Sequence, residues 1–464
     1  MSETTTEPEG LARARAKMTD AGVYPAAIEA FASYYRQLEQ GATGQVAESD
    51  IEPLTDPPRL TDVELGPEQA ADALARVAVI KLNGGLGTSM GMTGPKSLLP
   101  VRGEQTFLDL IIEQVRHARA SHGVPLPLIL MDSFRTREPT LARVAAHDDV
   151  IVADLPVDFL QSQEPKLRAD DLAPVDWPDD RELEWTPPGH GDLYPSLRDS
   201  GVLQTLLDAG YAYACVSNVD NLGATPSPEL AAWFADSGAP FALEVCRRTR
   251  ADRKGGHLAI RRADGRLILR ESAQVRDDDA DAFSDTDRHG YFNTNNLWLD
   301  LRALADVLAE RDGVLGLPMI VNRKTVDPAD PESPKVIQIE TAMGAAIEAF
   351  EGAQVIEVPR SRFQPVKTTN DLLVVRSDAY SLADDGHLEA VADPAPVVDL
   401  DPRHYKLVGD FDARFPDGPP SLRDAASLTV RGDWTFGADV RVVGDAELAD
   451  PGTPSRVEPG TELS

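Results

Sequence analysis

Five glycines fall between Lys81 and Ser97, in the run Lys81-Leu-Asn-Gly-Gly-Leu-Gly-Thr-Ser-Met-Gly-Met-Thr-Gly-Pro-Lys-Ser97. They follow directly on Arg76-Val-Ala-Val-Ile-Lys-Leu82, a short apolar run of strand character. Helices and sheet interiors do not tolerate glycine at that density. The run is therefore a loop at the carboxyl end of a buried strand, where open α/β sheets bind ligands. Glycines at 84, 85, 87, 91 and 94 remove side chains and permit positive φ, so backbone N–H groups can approach a nucleotide or its phosphates. Lys96 adds a mobile positive charge at the loop's end. A plain surface turn leaves the closing Pro-Lys-Ser unexplained. The loop is not a Walker A motif, because no Gly-Lys-Ser/Thr stands at the required spacing. It also matches the dinucleotide fingerprint poorly: Gly85-Leu-Gly87 supplies G-x-G, but Met90 stands where the third glycine belongs.

Around this loop, short apolar runs alternate with amphipathic helices. Residues 11–40 carry Tyr24, Ala27, Ile28, Phe31, Tyr34 and Leu38 at helical spacing and read as one helix ended by Gly41. Residues 1–10 are expected to be disordered, and Glu48 to Pro67 reads as a surface connection. From residue 75, strands are expected at 76–82, 126–131, 211–217 and 241–246, with a helix over 107–120. His257 to Arg270, interrupted by Ala263-Asp-Gly-Arg266, reads as a hairpin. The pattern predicts an α/β fold with a mixed sheet. After residue 395 the helices fade. Leu428 to Gly444 alternates apolar and polar residues in short segments, as in a small sheet or a few coils of a β-solenoid. The expected division is an N-terminal helical segment and linker over 1–74, a catalytic domain over 75–395 and a third unit over 396–464.

The chain has 45 Lys and Arg against 77 Asp and Glu, a net charge of −32. That disfavours attraction to nucleic acid or to an anionic membrane. A polyanionic substrate must then bind at a local positive patch. Only nine of the basic residues are lysine, and Lys81, Lys96, Lys254 and Lys367 fall in Gly-rich or polar motif runs, a placement that suggests point-charge work. Cys215 and Cys246 lie in apolar runs and read as two reduced, buried thiols. With no secretory signal and no apolar run of membrane-spanning length, they point to a cytoplasmic location.

Four further segments carry chemistry. Val216-Ser-Asn-Val-Asp-Asn221 follows an apolar strand, so Asp220 reads either as a Mg²⁺ ligand in the crevice of the glycine loop or as a loop carboxylate capping the backbone. Trp185-Thr-Pro-Pro-Gly-His-Gly-Asp-Leu-Tyr194 is a stiff loop with few side chains, in which His190 is a ligand contact or a structural histidine. Phe292-Asn-Thr-Asn-Asn-Leu-Trp298 presents neutral donors and acceptors suited to sugar hydroxyls, or else a turn with Asx caps. Val358 to Asp371 holds Arg360, Arg362 and Lys367, the densest basic island of the chain and a candidate for the local patch, or a solvated face. Asp277-Asp-Asp-Ala-Asp281 reads as a solvated loop rather than a metal site.

Taken in order, Lys81 to Ser97, Pro187 to Asp192, Val216 to Thr225, Phe292 to Trp298, Ile339 to Ile347 and Pro359 to Asp371 resemble the motifs of the eukaryotic-type UTP–glucose-1-phosphate uridylyltransferases, or UDP-glucose pyrophosphorylases. The resemblance covers roughly residues 75–385. It implies a Rossmann-like nucleotidyltransferase domain followed by a short C-terminal left-handed β-helix. It implies that Leu82, Asn83, Gly84 and Gly85 hold the uracil and ribose, with Gly84 and Gly85 nearest the substrate. Lys96 contacts the UTP phosphates, Gln161 reads the uracil with Gly189, and His190 touches the phosphate of glucose-1-phosphate. Asn218 and Asp220 bind nucleotide, Asp220 on Mg²⁺; Asn295 contacts the sugar; Lys367 is the main catalytic lysine. Met131-Asp-Ser-Phe134 departs from the family's Met-Asn-Ser-Phe, and Gln163-Glu-Pro165 replaces a more basic or aromatic version. The expected partners are UTP and glucose-1-phosphate, with an oligomer through the C-terminal domain left open. A broad UDP-sugar enzyme, a catalytically weak nucleotide-sugar binding protein and a dinucleotide-dependent oxidoreductase are the alternatives.

Overall fold

The structure, a computed structural model, describes residues 7–249, 252–328, 330–392 and 394–464. The chain forms two compact units, each built from three stretches of sequence. One comprises Met1–Ile80, Asp154–Val216 and Pro228–Val358; the other comprises Lys81–Ala153, Ser217–Ser227 and Pro359–Ser464.

The first unit begins with two helices where the periodicity predicts one. Glu9–Asp20 ends in a Schellman turn: Val23 N–H donates to Met18 O, Gly22 N–H donates to Thr19 O, and Gly22 has φ +72°. Pro25 then opens Pro25–Glu39 at its first position, where its fixed φ suits a helix start. Part of the stretch expected to be disordered is therefore helical from Glu9, while residues 1–6 lie outside the described residues. Leu11, Ala14 and Met18 on the first helix and Ile28, Phe31 and Tyr35 on the second are buried in one cluster with Met319, Ile337 and Ile339. Those last residues lie on the antiparallel pair Met319–Thr325 and Lys335–Thr341.

The unit's main sheet is mixed, as predicted. Ile51–Pro53, His257–Arg261, Tyr291–Asp300, Tyr213–Asn218 and Val77–Asn83 lie side by side in that order, the last two entering this unit with their first residues. Phe241–Arg247 runs antiparallel to Tyr291–Asp300 and parallel to Gln354–Glu357. The hairpin is where the sequence places it, with His257 opposite Arg270 and Ile260 opposite Leu267. Trp298 is fully buried in the sheet. Its Nε1–H donates to the buried Glu244 carboxylate at 3.0 Å, and Asn296 Nδ2 donates to the same group at 3.1 Å. The acidic run is less solvated than expected, since Asp279 accepts from Glu48 N and from the fully buried Arg270.

In the second unit the helix Phe107–His122 starts at a capping box between Thr106 and Asp109 and stops at Gly123, φ +64°. It accompanies the buried strand Leu128–Asp132. The C-terminal part is not purely β. Asp401 caps Pro402–Tyr405, and Val408–Arg414 follows, before the strands resume. Val397–Leu400, Ser421–Val430, Arg441–Leu448 and Glu462–Leu463 then stack in parallel, and Trp434–Phe436 pairs in parallel with Ser455–Val457. Ser421 lies opposite Arg441, Arg441 opposite Glu462 and Trp434 opposite Ser455, at offsets of 20, 21 and 21 residues; the first narrows to 18 by Val430 opposite Leu448, and Val397 pairs with Ser427 at an offset of 30.

Neither cysteine is in a disulfide; Cys246 is buried, but Cys215 is only half-buried. Among the described residues, no helix is long and apolar enough to cross a membrane.

Candidate functional site

In the second unit the glycine loop leaves the strand Val77–Asn83 through two anchored side chains. Lys81, almost fully buried, donates to Ser217 Oγ at 2.7 Å and to Ala224 O at 2.8 Å. It ties the strand to the Asp220 turn, so the point-charge role that its place in the run suggested is not its role. Asn83 donates to Asp132 Oδ1 and Thr140 Oγ1, which leaves backbone rather than side chain to meet a ligand there. Lys96 N–H donates to Gly85 O at 3.0 Å and closes the loop on itself. Gly87 and Gly91 sit at φ +63° and +73°. A Cβ on Gly85 would meet nothing within 4 Å, so this backbone borders open space.

Lys96 Nζ donates to Asp220 Oδ2 at 2.6 Å. The other oxygen of Asp220, Oδ1, is buried without a hydrogen-bond partner. One carboxylate oxygen left over beside a lysine suits Mg²⁺, which takes one or two carboxylates and completes its shell with water and substrate phosphate. A dedicated protein cage is absent: among the described residues no group of three or more His, Cys, Asp or Glu is set to hold a metal.

The Asp220 turn is locked to the basic island. Asn221 donates to Arg362 O and accepts from Gln364 N at 2.8 Å, while Val366 N–H donates to Asp220 O. A Cβ on Gly223 would lie 2.3 Å from Ser361 O, so only glycine allows this approach. The lock presents Lys367, which is exposed, with its Nζ 5.9 Å from the Phe363 ring centre. Lys367 borders a cavity of about 260 Å³ together with Ser89 and Met90 of the glycine loop. Arg362 differs from the expectation for the island: it is buried and donates to Thr225 O, whereas Arg360 is exposed.

The first unit gathers the remaining candidates. Gly189 has φ +80° and ψ 173°, and a Cβ there would lie 2.5 Å from Thr341 O. His190 Nδ1 accepts from Met343 N–H at 2.8 Å, so the neutral ring carries its proton on Nε2. Burial lowers the His190 pKa to about 4, which keeps the ring neutral at physiological pH. Next to Met343, Gly344 lies against Asn293: a Cβ on it would be 2.7 Å from Asn293 Nδ2. Asn293 in turn exchanges hydrogen bonds with Asn295. Asn295 has φ +57° inside Tyr291–Asp300, where the register against Phe241–Arg247 shifts at Leu243/Val245. Such an irregularity re-aims a side chain in mid-strand. His190 and Asn295, far apart in sequence, are thus brought together through Met343 and Gly344. Gln161 joins them through its neighbour, because Ser162 N–H donates to Asp192 at 2.6 Å. Sequence reasoning gave no role to Thr341, Met343 or Asp192. Asp192 stood within a quoted motif, but its partners lie 30 and 4 residues away, and only folding shows them.

The candidates therefore form two sets, one per unit: a glycine loop with Lys96, Asp220 and Lys367, and a cluster of neutral donors with one neutral imidazole. Solved structures of similar fold define the class. A UDP-glucose phosphorylase from Trypanosoma brucei matches with TM-score 0.91 and 42% identity over 98% of either chain. A mutant UDP-glucose pyrophosphorylase from Leishmania major in complex with UDP-glucose matches with TM-score 0.91 and 41% identity over 99% of this chain and 98% of that one. The mixed sheet is thus that of a sugar nucleotidyltransferase. A UTP–glucose-1-phosphate uridylyltransferase from Solanum tuberosum is 41% identical over 396 residues, 84% of this chain and 80% of that protein. The model of the UTP–glucose-1-phosphate uridylyltransferase family matches residues 28–442, and the chain belongs to that family.

Proposed function

We propose that this chain transfers a uridylyl group from UTP to glucose-1-phosphate, giving UDP-glucose and pyrophosphate. The observation that carries the reading is the cavity bordered by both the glycine loop and Lys367, with the Lys96–Asp220 pair in the same unit. A phosphate oxygen of glucose-1-phosphate is already an anion, so it needs no general base. It attacks the α-phosphorus of UTP in line; a new O–P bond forms, and the bond to the pyrophosphate oxygen breaks. The obstacle is repulsion between two polyanions and the charge growing on the leaving group. Positioning and cationic stabilisation overcome it.

In that division of labour, Leu82 to Gly85 offer backbone to the nucleoside, and Asn218 lies beside them at the strand's tip. Lys96 and Lys367 face the phosphates as point charges. Gln161 and Gly189 read the uracil, His190 donates its Nε2–H to the phosphate of glucose-1-phosphate, and Asn295 bonds a sugar hydroxyl. Mg²⁺ held by Asp220 would, when bound, neutralise the triphosphate. Asp220→Asn should raise the Mg²⁺ concentration for half-maximal rate by more than the roughly 10–100-fold seen when a mere supporting partner of a metal ligand is lost. An unchanged metal titration would remove Asp220 from the role.

The parallel pairing of successive strands, at offsets of 18–21 residues from Ser421 onward, supports reading the last segment as a short left-handed β-helix. With it go an N-terminal segment over 1–74, a catalytic domain over 75–395 and a C-terminal domain over 396–464. The composition favours a cytoplasmic enzyme, with the C-terminal coils as the surface through which copies could join. The test of the whole reading is pyrophosphate release with Mg²⁺, pairing UTP, ATP, GTP and dTTP with glucose-1-phosphate, galactose-1-phosphate and N-acetylglucosamine-1-phosphate. Release confined to UTP with glucose-1-phosphate is expected. Release with several sugars would make this a broad UDP-sugar enzyme, and UDP-glucose binding without turnover would make it a binding protein.

A further inference from the structure

Behind the His190 turn lies a buried carboxylate to which the proposed chemistry gives no part. Asp192 is only 5% exposed. Its Oδ2 accepts from Ser162 N–H at 2.6 Å and from Ser196 Oγ at 2.7 Å. The first bond reaches across 30 residues to the segment carrying Gln161; the second fixes the carboxylate to its own helix, Leu193–Asp199. On the other side, Asp192 closes the short turn His190–Asp192. One oxygen therefore holds two segments that the uridylyltransferase reading gives to different ends of the nucleotide sugar.

We infer that Asp192 is a positioning residue: its ionised carboxylate clamps the Gln161–Ser162 segment to the His190 turn, so that the base contact and the phosphate contact are set together. The inference rests on that reading of Gln161 and His190. The space beneath the turn supports it. A cavity of about 30 Å³, enough for one water, is lined by Tyr34, Glu164, Gly191, Asp192 and Thr341 among others, so the packing beside the carboxylate is incomplete. Without the carboxylate, nothing else shown bonds Ser162 N–H.

The surroundings tune the clamp within an accessible pH range. Burial raises the Asp192 carboxyl to about 6, opposed by its bonds from Ser162 and Ser196 and reinforced by Asp199. Glu164, itself held well above its usual range by burial, by Asp192 and by Glu340, faces it. Tyr34 is raised too and does not titrate near 6. His190 titrates lower, at about 4. Asp192 is thus ionised above about pH 6 and loses its charge below it, before His190 gains one.

The experiment is UDP-glucose binding to the full chain from pH 8 to pH 5, a ligand with no group of its own titrating in that range. Wild-type affinity should hold above pH 6 and fall about tenfold by pH 5, the change expected when only the ionised form binds. Asp192→Asn, which keeps an acceptor oxygen but no charge, should bind more weakly at pH 8 and show no change across the range. Ser196→Ala, which leaves the Ser162 bond in place but removes one that favours the ionised carboxylate, should keep a pH dependence and move the fall in affinity to higher pH. A wild-type affinity that does not vary with pH overturns the inference whether or not the variant folds, as does an Asp192→Asn variant that follows the wild-type curve. Absence of UDP-glucose binding at pH 8 would instead overturn the uridylyltransferase reading, and the clamp with it.

Discussion

Lys367→Ala should lower kcat for UDP-glucose formation by about 10²–10⁴, the scale of losing one charge-stabilising group at a reacting centre. Lys367 lines the cavity beside Ser89 and Met90, and its backbone N–H is fixed by Asp371 Oδ2 at 2.8 Å. The charged end touches no carboxylate among the ion pairs shown. In a chain where most arginines are paired, that leaves a cation free to meet phosphate. Removing it leaves the Asn221 lock and the helix Thr369–Arg376 with its Thr368–Asp371 capping box untouched, so the melting temperature should barely move. Lys367→Arg tests the geometry: a planar fork is a poor substitute for a compact point charge, and only partial recovery is expected. Steady-state kinetics in both directions are the check. A near-normal rate in Lys367→Ala would take the residue out of the mechanism.

Gly189→Ala should damage both fold and catalysis, and by a different route. At φ +80° and ψ 173° the backbone is in a region essentially reserved for glycine, at a cost of about 1–3 kcal/mol for any other residue. The added Cβ would also lie 2.5 Å from Thr341 O and 2.8 Å from Thr341 N, backbone atoms that cannot swing aside as a flexible side chain could. The strand Lys335–Thr341 must then retreat, and with it Met343, whose N–H holds the His190 ring. A loss of roughly 10²-fold in kcat/KM is expected, the effect of about an ångström of misplacement. Thermal denaturation should show a parallel fall in stability. Gly85→Ala is the contrast: with no atom within 4 Å of its Cβ, it should melt like wild type whatever it does to nucleotide binding. Equal melting temperatures for the two variants would refute the account of Gly189.

What the sequence conveys and what it withholds follow from the range of the interactions involved. The glycine loop, the stiff loop at His190 and the hairpin at Ala263 to Arg266 are local matters of φ, chain stiffness and alternation, and all three stand where the residues place them. The break between the first two helices was also legible, in Gly22 and Pro25, but a continuous apolar stripe masked it. Lys81 shows the other limit. Its motif suggests point-charge work, yet its partners, Ser217 and Ala224, are 136 and 143 residues away, and pairing them requires the fold. Arg362 likewise meets Thr225 O across 137 residues and turns from patch to prop. The capping helix at Asp401 and Pro402 sat in an otherwise β-like texture whose period outweighed two local signals.

The shared cluster of the N-terminal helices also has a consequence for how the chain is made. Leu11, Met18, Ile28 and Phe31 leave the ribosome roughly three hundred residues before Met319, Ile337 and Ile339, against which they pack. At about 5–20 residues per second, that leaves an amphipathic pair of helices with its greasy face uncovered for some 15–60 s. Such a nascent chain is a natural client for a holding chaperone. It also makes these two helices among the last parts of the protein to be secured, although they are synthesised long before the strands that cover them.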